Sequence, residues 1–441
     1  MKWNHFILKQ FFNSRHRFSA LLSTVVSKYQ ASPLNKHFFI PLQISVIGLL
    51  FSACASSGPR SASGTDIDPA ALASARQMVG QKQIPEPLKP EFIALYSEGR
   101  QNSVLHAMRG GLSALRLGYF DLAKETFDQA IREVESMQEG AKQAERAKSK
   151  FVAEREKWFK GESYERSALY FYRGLLYLRD HDYGNAAACF KRSQIEDITG
   201  DDAKDFSGDW YSDELALALA SNLNGYPDDA AAALQRASKF PSKQGEVPPP
   251  DANTNTLIVV EVGRGPIKFR GGKYGEQLHF QEEPPAITQI HVVAPDTSIA
   301  SAAAENLYFQ ATTRGTRKID YVLGDKASFK EDTANATVGL AAGAIAASQL
   351  DNTGISSGVL GLAALGTAIF SATSNPQADI RCWDNLPHSV YLLNLNLPDT
   401  DQTVTIEGLS AGGTVVNQLT IPLVSSKMTN KPFRIAFAQF K

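Results

Sequence analysis

Residues 174–190 read GLLYLRDHDYGNAAACF, and this stretch carries the pattern that decides the fold of the first half of the chain. Gly174 falls near the middle of one helix, a turn follows about seven residues later, and Ala186 and Phe190 are four residues apart on the next helix. Small residues let two antiparallel helices approach closely, while larger apolar residues fill the groove between neighbouring pairs. The stretch therefore predicts a helical hairpin.

The same spacing recurs on both sides of this stretch. It appears as Gly111, Gly118, Ala123 and Phe127 before it, and as Ala218, Gly225, Ala230 and Leu234 after it. The three segments resemble tetratricopeptide (TPR) helix pairs, but their spacing is irregular and longer than the roughly 34 residues of that repeat. The charged stretch Ile131–Trp158 is interpreted as a lengthened helix followed by an inserted one. An irregular helical bundle is the alternative interpretation.

Aromatic residues of these segments are the candidate protein-binding residues. They are Tyr119, Tyr170, Tyr177, Tyr183 and Tyr226.

A proline-rich stretch separates the helical half from a second half of different composition. It reads PSKQGEVPPP over residues 241–250, and prolines lack the donor that a helix or a central strand needs. About 385 residues are too many for one core, which favours two domains. We predict a signal peptide over residues 1–53, a flexible tether over 54–75, a TPR-like helical domain over 76–245 and a β-rich domain over 251–441.

The second half is predicted from β-branched and alternating runs to be a sandwich-like set of strands. The predicted strands are Thr256–Val262, Ile287–Val293, Leu307–Thr312, Ser389–Leu395, Thr403–Glu407, Thr414–Ile421 and Phe433–Phe437. A helical insertion is predicted between them, over about residues 314–373. The fold class is therefore α+β, with helical repeats first and a β-rich domain with a Gly/Ala-rich helical hairpin second.

The insertion contains two segments made almost wholly of small and aliphatic residues, Ala336–Leu350 and Ile355–Thr373. Their glycines are three or four apart, as in close-packed membrane helices. The first segment is too short to span a bilayer, and Asp351 and Asn352 lie between the two. A hairpin buried in the domain or in an oligomer interface is the favoured interpretation, and a membrane-inserting hairpin is the alternative.

The N-terminal residues have the composition of an export signal. Six basic residues precede an apolar run from Phe38 to Phe51, which is shorter than the ~20 residues of a membrane-spanning helix. The sequence Phe51-Ser52-Ala53-Cys54 that closes the run resembles the lipobox of bacterial lipoproteins. We therefore predict that the chain is cleaved before Cys54 and that Cys54 carries the lipid. An uncleaved anchor helix beside an unmodified cysteine is the alternative.

Composition excludes several classes of function. Without residues 1–53 the chain has 39 basic and 46 acidic residues, a net charge of −7, which gives no attraction to nucleic acid. Besides Cys54 only Cys189 and Cys382 remain, which excludes a disulfide framework and a cysteine zinc site but leaves one long-range bridge open. The histidines of the mature chain are never three or four apart, and no phosphate-binding motif occurs. No metal and no cofactor are predicted.

Other motifs give weak signals. Gly-x-Ser-x-Gly occurs at residues 354–358, inside Ala-rich helical sequence, and at 408–412, between strands with no histidine after it, so the second is interpreted as a hairpin turn. No catalytic residue is predicted from either. Two basic clusters are candidate contacts for an anionic polymer or an acidic partner, or are simply solvated. They are Lys268, Arg270 and Lys273, and Arg314, Arg317 and Lys318.

Two blocks resemble a family of uncharacterised Gram-negative, periplasm-facing lipoproteins with TPR-like repeats. Residues 159–166, FKGESYER, are similar to that family's Tyr-x-Gly-Glu-x-x-Glu-Arg, and residues 378–387, ADIRCWDNLP, to its Ala-Asp-x-Arg-x-Trp-x-x-Leu-Pro. Gly265-Pro266-x-Lys268 lies between them. The resemblance implies a non-enzymatic lipoprotein, often encoded near lipoproteins that activate penicillin-binding proteins, and it carries over no catalytic residue. Within the second block, Asp379 and Arg381 are expected to pair, and Trp383 is expected to form an apolar corner with Leu386 and Pro387.

Together these features predict a lipid-anchored protein of the outer membrane, on its periplasmic side, that acts as a protein-interaction scaffold in envelope assembly or maintenance. Its expected partners are the membrane, through the lipid, and an unidentified periplasmic or outer-membrane protein, with self-association possible and no nucleic acid. A self-assembling or membrane-inserting structural subunit is the alternative function. A cell-wall hydrolase using Ser356 or Ser410 is a weaker one.

Overall fold

The computed structural model describes residues 60–148, 157–198, 209–240, 245–313, 377–426 and 432–441, with side chains left out of the description at 138–148. Residues Arg60–Lys441 form one compact unit. Helices occupy mainly its first half and strands its second half, so the predicted α+β class is confirmed.

Eight α-helices are described in the first half. They are α1 (Pro69–Gln81), α2 (Lys89–Ser97), α3 (Ser103–Arg116), α4 (Phe120–Lys148), α5 (Ser163–Arg179), α6 (Tyr183–Ile198), α7 (Tyr211–Leu223) and α8 (Pro227–Ala237), with a 3₁₀ helix at Glu86–Leu88. Helix α4 is long, as the charged stretch after Ile131 predicts. The pairs α3/α4, α5/α6 and α7/α8 are hairpins at the three predicted positions.

All three hairpins turn in the same way. Each passes through one residue in the left-handed conformation, namely Gly118 (φ 79°), His181 (φ 61°) and Gly225 (φ 85°). In each, the next N–H donates to a carbonyl five residues earlier at 2.9 Å: Tyr119 to Ala114, Asp182 to Tyr177, and Tyr226 to Ser221. This is the bond pattern that closes a helix whose next residue is left-handed, where glycine is favoured.

The glycines predicted to let the helices approach do so. A Cβ atom added to Gly174 would lie 2.6 Å from the ring of Phe190, and one added to Gly111 would lie 2.5 Å from the ring of Phe127. Both rings are fully buried. Only the absence of a side chain at these two glycines lets the second helix of each hairpin bring its phenylalanine against the first.

The strands of the second half are β1 (Thr256–Val262), β2 (Ile267–Gly271), β3 (Gln277–Gln281), β4 (Gln289–Ala294), β5 (Thr297–Ala302), β6 (Glu305–Asn306), β7 (Ser389–Leu395), β8 (Gln402–Leu409), β9 (Val415–Leu423) and β10 (Arg434–Phe440). They form a first sheet of order β10-β1-β7-β6, a second sheet of order β5-β4-β8-β9, and the hairpin β2-β3. In the first sheet β1 runs parallel to β10 and antiparallel to β7.

Strand β1 is buried on both faces and joins three layers. Leu257 and Val259 pack in the hydrophobic cluster of the helices, whereas Ile258, Val260 and Val262 pack in the cluster between the two sheets. Successive side chains of a strand point to opposite faces, so one strand serves both clusters. The change of composition near residues 245–251 therefore marks a change of secondary structure, with the core continuous across it.

Two predictions about local structure are wrong. The tether assigned to 54–75 ends earlier, because α1 begins at Pro69 with the Asp68 side chain accepting a hydrogen bond from the Ala70 N–H (3.1 Å). Asp before Pro at a helix start is a capping signal that outweighs the small, polar composition there.

The second correction concerns Leu307–Thr312, predicted as a strand, which forms helix α9. Its cap decides this, since the Asn306 side chain accepts from the Phe309 N–H at 2.9 Å. The turn predicted at Ser410 is confirmed, because the Ser410 N–H donates to the Thr414 carbonyl between β8 and β9.

Several predictions lie outside the described residues. These are the signal peptide, Cys54, the segment inserted after α4 at residues 149–156, the helical insertion at 314–373 and Ser356. The membrane-inserting or self-assembling alternative rests on that insertion and stays a prediction. Among the described residues, no helix has the length and apolar character needed to cross a bilayer.

The close approach at Gly174 gives a test of the hairpin packing. We expect Gly174→Ala to lower the free energy of unfolding by about 1–3 kcal/mol, because the new methyl group overlaps the Phe190 ring in a filled core. Urea denaturation of the mature chain measures this. Gly80→Ala is the matched control, since a Cβ there meets nothing within 4 Å and the helix should gain about 0.5–1 kcal/mol. Equal effects at the two positions would contradict the packing.

Candidate functional site

A cleft of about 510 Å³ lies where the turn of the first hairpin meets the end of α1. The segment after α1 supplies Lys82–Pro85, the α3/α4 turn supplies Gly118–Leu122, and Arg179 comes from the end of α5. Apolar and polar groups therefore converge from three elements, as in ordinary binding sites for small or extended ligands.

The backbone of the cleft is fixed by helix ends. Gln83 has φ 52°, a left-handed conformation that a residue with a side chain adopts at some cost, and the next N–H, of Ile84, donates to the Val79 carbonyl at 3.1 Å. Gly118 turns the opposite wall in the same conformation. Both walls are thus held by helix-terminating bonds and do not depend on a ligand for their shape.

Aromatic rings and a guanidinium form the centre of the cleft. Arg179 lies over the Phe120 ring at 3.9 Å, and its Nη1 donates to Asp180 at 2.9 Å. Phe120 rests in turn on Phe437 of β10, with 5.9 Å between ring centroids. Tyr119, beside it, is 44% exposed. A planar or aromatic group of a ligand can contact the Arg179 guanidinium and the exposed Tyr119 ring here.

The other charges around the cleft are paired. Tyr96 raises the pKa of Lys82 against the opposing effect of burial, and Glu125, 3.4 Å from its ammonium, adds to the rise. Lys124 bridges Asp121 (2.8 Å) and Asp180 (2.7 Å); these bonds raise the pKa of Lys124, and that of Asp121 is lowered by the same contact. The rim is therefore nearly neutral, so the aromatic centre dominates what the cleft can recognise.

The five predicted tyrosines do not form one surface. Tyr170 is buried and its hydroxyl donates to Glu135 at 3.0 Å, while Tyr177 lies under the Arg173 guanidinium at 3.6 Å. Tyr183 packs on Phe433, and burial raises its pKa to about 12. Tyr119 and Tyr226 are exposed, and of the five only Tyr119 lines the cleft.

The predicted role of Lys268 as an anionic contact is wrong. Its ammonium is buried 3.1 Å from Glu162 and 3.6 Å from Glu165, and it donates to the Arg381 carbonyl. Burial in this pocket is compensated by two carboxylates, so no external anion is needed. Arg270 donates to the Ala378 carbonyl at 2.8 Å, and the Lys273 ammonium lies 5.3 Å from the Tyr274 ring. Arg314, Arg317 and Lys318 lie outside the described residues.

The block at residues 378–387 lies against the helices. Arg381 pairs with Asp379 at 2.6 Å, as expected, and also donates to the Asn102 side chain at 2.8 Å. Trp383 packs against both Phe127 and Tyr172, with ring centroids 6.2 and 6.1 Å away, and those two rings also stack on each other at 6.5 Å. This segment therefore lies against α3 and α5, the first helices of the first two hairpins, on a surface called the inner face below.

A second contact ties the first sheet to the same helices. Glu261 of β1 accepts from Arg116 of α3 and from the Tyr172 hydroxyl of α5, each at 2.5 Å. The side chain of Glu261 is nearly fully buried. The sheet and Trp383 cover the inner face, whereas the hairpin turns and parts of the second helices α6 and α8 remain exposed.

No protein-family model, curated protein or solved structure matches this chain. Cys189 and Cys382 are free thiols, so the long-range disulfide left open by the sequence is not formed. Within the described part of the chain, no group of histidine, cysteine and acidic side chains is placed to hold a metal ion.

A buried carboxyl group joins α7, β6 and α9. Glu305 accepts from the Gln310 side chain at 2.9 Å and from the Ser212 hydroxyl at 3.3 Å. Burial raises the pKa of Glu305 to about 8, and the nearby acidic groups of Asp209 and Asp197 add to the rise. At neutral pH this carboxyl therefore keeps its proton in the folded chain.

The raised pKa of Glu305 predicts how the free energy of unfolding depends on pH. Between pH 4.5, the ordinary pKa of glutamic acid, and about 8, the folded chain holds a proton that the unfolded chain has released. The free energy of unfolding should therefore fall as pH rises through this window, and the contribution of Glu305 should level off above it. We expect Glu305→Gln to make this fall shallower, measured by urea denaturation across the window. The control is the exposed Glu283→Gln, and equal slopes in both variants would contradict the assignment.

Proposed function

We propose that this protein is a lipid-anchored scaffold of the outer membrane, on its periplasmic side, whose TPR-like hairpins bind an extended segment of another envelope protein in the cleft beside Tyr119. The anchor is the lipid on Cys54, from the lipobox resemblance. The proposed role is non-enzymatic and lies in envelope assembly or maintenance.

The matching hairpin turns support the TPR-like description. The three left-handed turn residues, the three 2.9 Å closing bonds and the two glycine–phenylalanine contacts recur at the same offsets. Repeated helical pairs of this kind commonly serve as binding surfaces, because each pair presents the same backbone geometry at a new position. The resemblance to periplasm-facing lipoproteins points the same way.

The single observation that carries the binding site is the cleft with Arg179 stacked over Phe120. It combines a preformed backbone with exposed aromatic surface, while the inner face that TPR-like repeats offer to ligands is filled by Trp383 and its neighbours. An aromatic or aliphatic side chain of an extended peptide fits this centre, since aromatic and arginine residues dominate binding energies at interfaces.

A photo-crosslinking experiment tests the cleft. With benzoylphenylalanine in place of Tyr119 in the lipidated protein in cells, we expect one or a few discrete protein adducts. The same probe at Tyr226, which is more exposed (57%) and outside the cleft, should not give them. Adding Arg179→Ala to the Tyr119 probe should weaken the adduct about fivefold or more, because loss of an interface anchor costs at least about 1 kcal/mol. No adduct at position 119, or identical adducts at both positions, would refute the proposed site.

The proposed anchor lies close in sequence to residues that are hydrogen-bonded to the helical half. The Ala62 N–H donates to Glu98 at 2.7 Å and the Ser63 hydroxyl accepts from Asn102 at 3.4 Å. Next to Asn102, the Gln101 carbonyl accepts from the Phe159 N–H at 2.8 Å. The adjoining Trp158 is half exposed beneath Arg100 (4.8 Å), so it lies close to the point where the chain enters the body.

Only six peptide units separate Cys54 from Arg60, so they span at most about 20 Å. A lipid on Cys54 therefore holds this end of the body near the bilayer. Trp and Arg are side chains that favour the headgroup region. Trp158 is the exposed tryptophan of the mature chain, whereas Trp210 and Trp383 are 1% exposed.

Fluorescence quenching tests anchor and orientation together. In the lipidated protein on vesicles, we expect brominated lipids to quench Trp158 but not the two buried tryptophans, so that Trp158→Phe removes the quenched fraction. Cys54→Ser should abolish palmitate labelling, vesicle binding and quenching. Unchanged labelling in Cys54→Ser would refute the anchor; normal labelling with no quenching would refute only the orientation.

A further inference from the structure

The second sheet carries a row of three polar side chains that the scaffold function does not use. The Ser298 hydroxyl lies 2.6 Å from Nε2 of His291, and Nδ1 of His291 lies 2.9 Å from Oε2 of Glu407. Ser298 is exposed, while His291 and Glu407 are 28% and 23% exposed. These are the atoms and distances by which an oriented histidine activates a serine.

The row follows from the register of three neighbouring strands. His291 of β4 lies directly opposite Glu407 of β8 on one side and Ala300 of β5 on the other. Residues two apart in a strand share a face, so Ser298 lies diagonally across from His291 on the same side of the sheet. The backbone, rather than chance side-chain rotation, therefore brings the three groups together.

The contacts select one tautomer of a neutral His291. A carboxylate oxygen can only accept, so neutral His291 donates from Nδ1 to Glu407 and has its lone pair on Nε2. That nitrogen then accepts the Ser298 O–H. Glu407 thus holds His291 in the tautomer and orientation that a general base requires.

The edge of the sheet supplies a backbone donor beside Ser298. Strand β5 is an edge strand, and the Ala302 N–H points away from β4 to the Glu246 carbonyl at 2.9 Å. Alternate N–H groups of a strand point to the same side, so the Ser298 N–H also points outward at the edge. It is placed to donate to a negative oxygen that forms on a carbon bonded to the Ser298 Oγ.

We propose that Ser298 is a nucleophile that accepts acyl groups from small, activated carboxylic esters, with His291 as its base and Glu407 as the group that orients His291. The Ser298 Oγ forms a bond to the ester carbonyl carbon while its proton passes to His291 Nε2. The C–O bond to the alcohol then breaks, and the alcohol leaves with that proton. Water, deprotonated by His291, releases the acid and restores Ser298.

The exposed setting determines the substrate class. The row lies on an open sheet face and has one backbone donor, so it selects esters by reactivity rather than by shape. Amides should not react, because their carbonyl carbon is less electrophilic and their amine is a poorer leaving group that must be protonated as it departs.

Acyl transfer to 4-nitrophenyl acetate and labelling by a fluorophosphonate probe test the proposal on the folded mature chain. We expect peptide mass spectrometry to find both adducts on Ser298, and Ser298→Ala to remove them. His291→Ala should slow labelling about 100-fold or more, the contribution of a general base, and Glu407→Gln should slow it by a smaller factor.

Matched controls separate activation from mere exposure. Ser410, in the β8/β9 turn, is a serine without a histidine neighbour, and His279 is an exposed histidine whose ring bonds only Gln277. Ser410→Ala and His279→Ala should leave the labelling rate unchanged. Labelling of Ser298 no faster than that of Ser410, or an unchanged rate in His291→Ala with circular dichroism intact, would overturn the proposal.

Discussion

Trp383 packs against both Phe127 and Tyr172, and this three-ring cluster covers the helix surface that faces the second half of the chain. The Trp383 N–H donates to Glu165 at 2.6 Å, so the ring is held from its backbone as well. Large aromatic side chains contribute much of the apolar surface buried in a core, and removing this one would leave a cavity beside the Phe127 ring. Because the chain covers its own inner helix face, the proposed scaffold binds its partner elsewhere, in the Tyr119 cleft at the first turn.

The buried charges around this contact explain why the segment docks in one way only. Arg381 donates to Asp379, Asn102 and the Lys157 carbonyl, and Lys268 faces Glu162 and Glu165. Buried ion pairs add little net stability, but a displaced partner leaves an uncompensated charge that costs about 3–5 kcal/mol. Any shift of the segment along the helices would uncouple several such groups at once. The network therefore selects register, while the apolar contacts supply most of the binding.

Sequence patterns within one or two elements predicted the features that depend on neighbouring residues alone. The offsets from Gly174 to Phe190 fixed a hairpin because helix geometry repeats every turn, and the apolar run Ser389–Leu395 forms strand β7 with the predicted bounds. Asn306 was missed as a cap because the following Leu-Tyr-Phe favours strands. Long-range features gave no signal: Lys268 meets Glu162 across 106 residues, and His291 meets Glu407 across 116. The cleft itself depends on where α1 ends relative to a turn more than thirty residues later. Of its lining residues, the sequence analysis named only Tyr119 as a candidate.

The proposed site is small for a scaffold, and the short distance from the cleft-bearing body to the proposed lipid anchor explains how it could suffice. A cleft of about 510 Å³ holds one or two side chains, far less than a standard protein interface. We therefore expect the proposed site to bind a free peptide with modest affinity. In the proposed lipid-anchored protein, a partner attached to the same membrane meets the cleft at a high effective concentration when the linker is short, so weak binding at one anchor residue is sufficient. In that proposed arrangement the six peptide units between Cys54 and Arg60 set the linker length, and lengthening them should weaken partner capture while leaving the cleft intact.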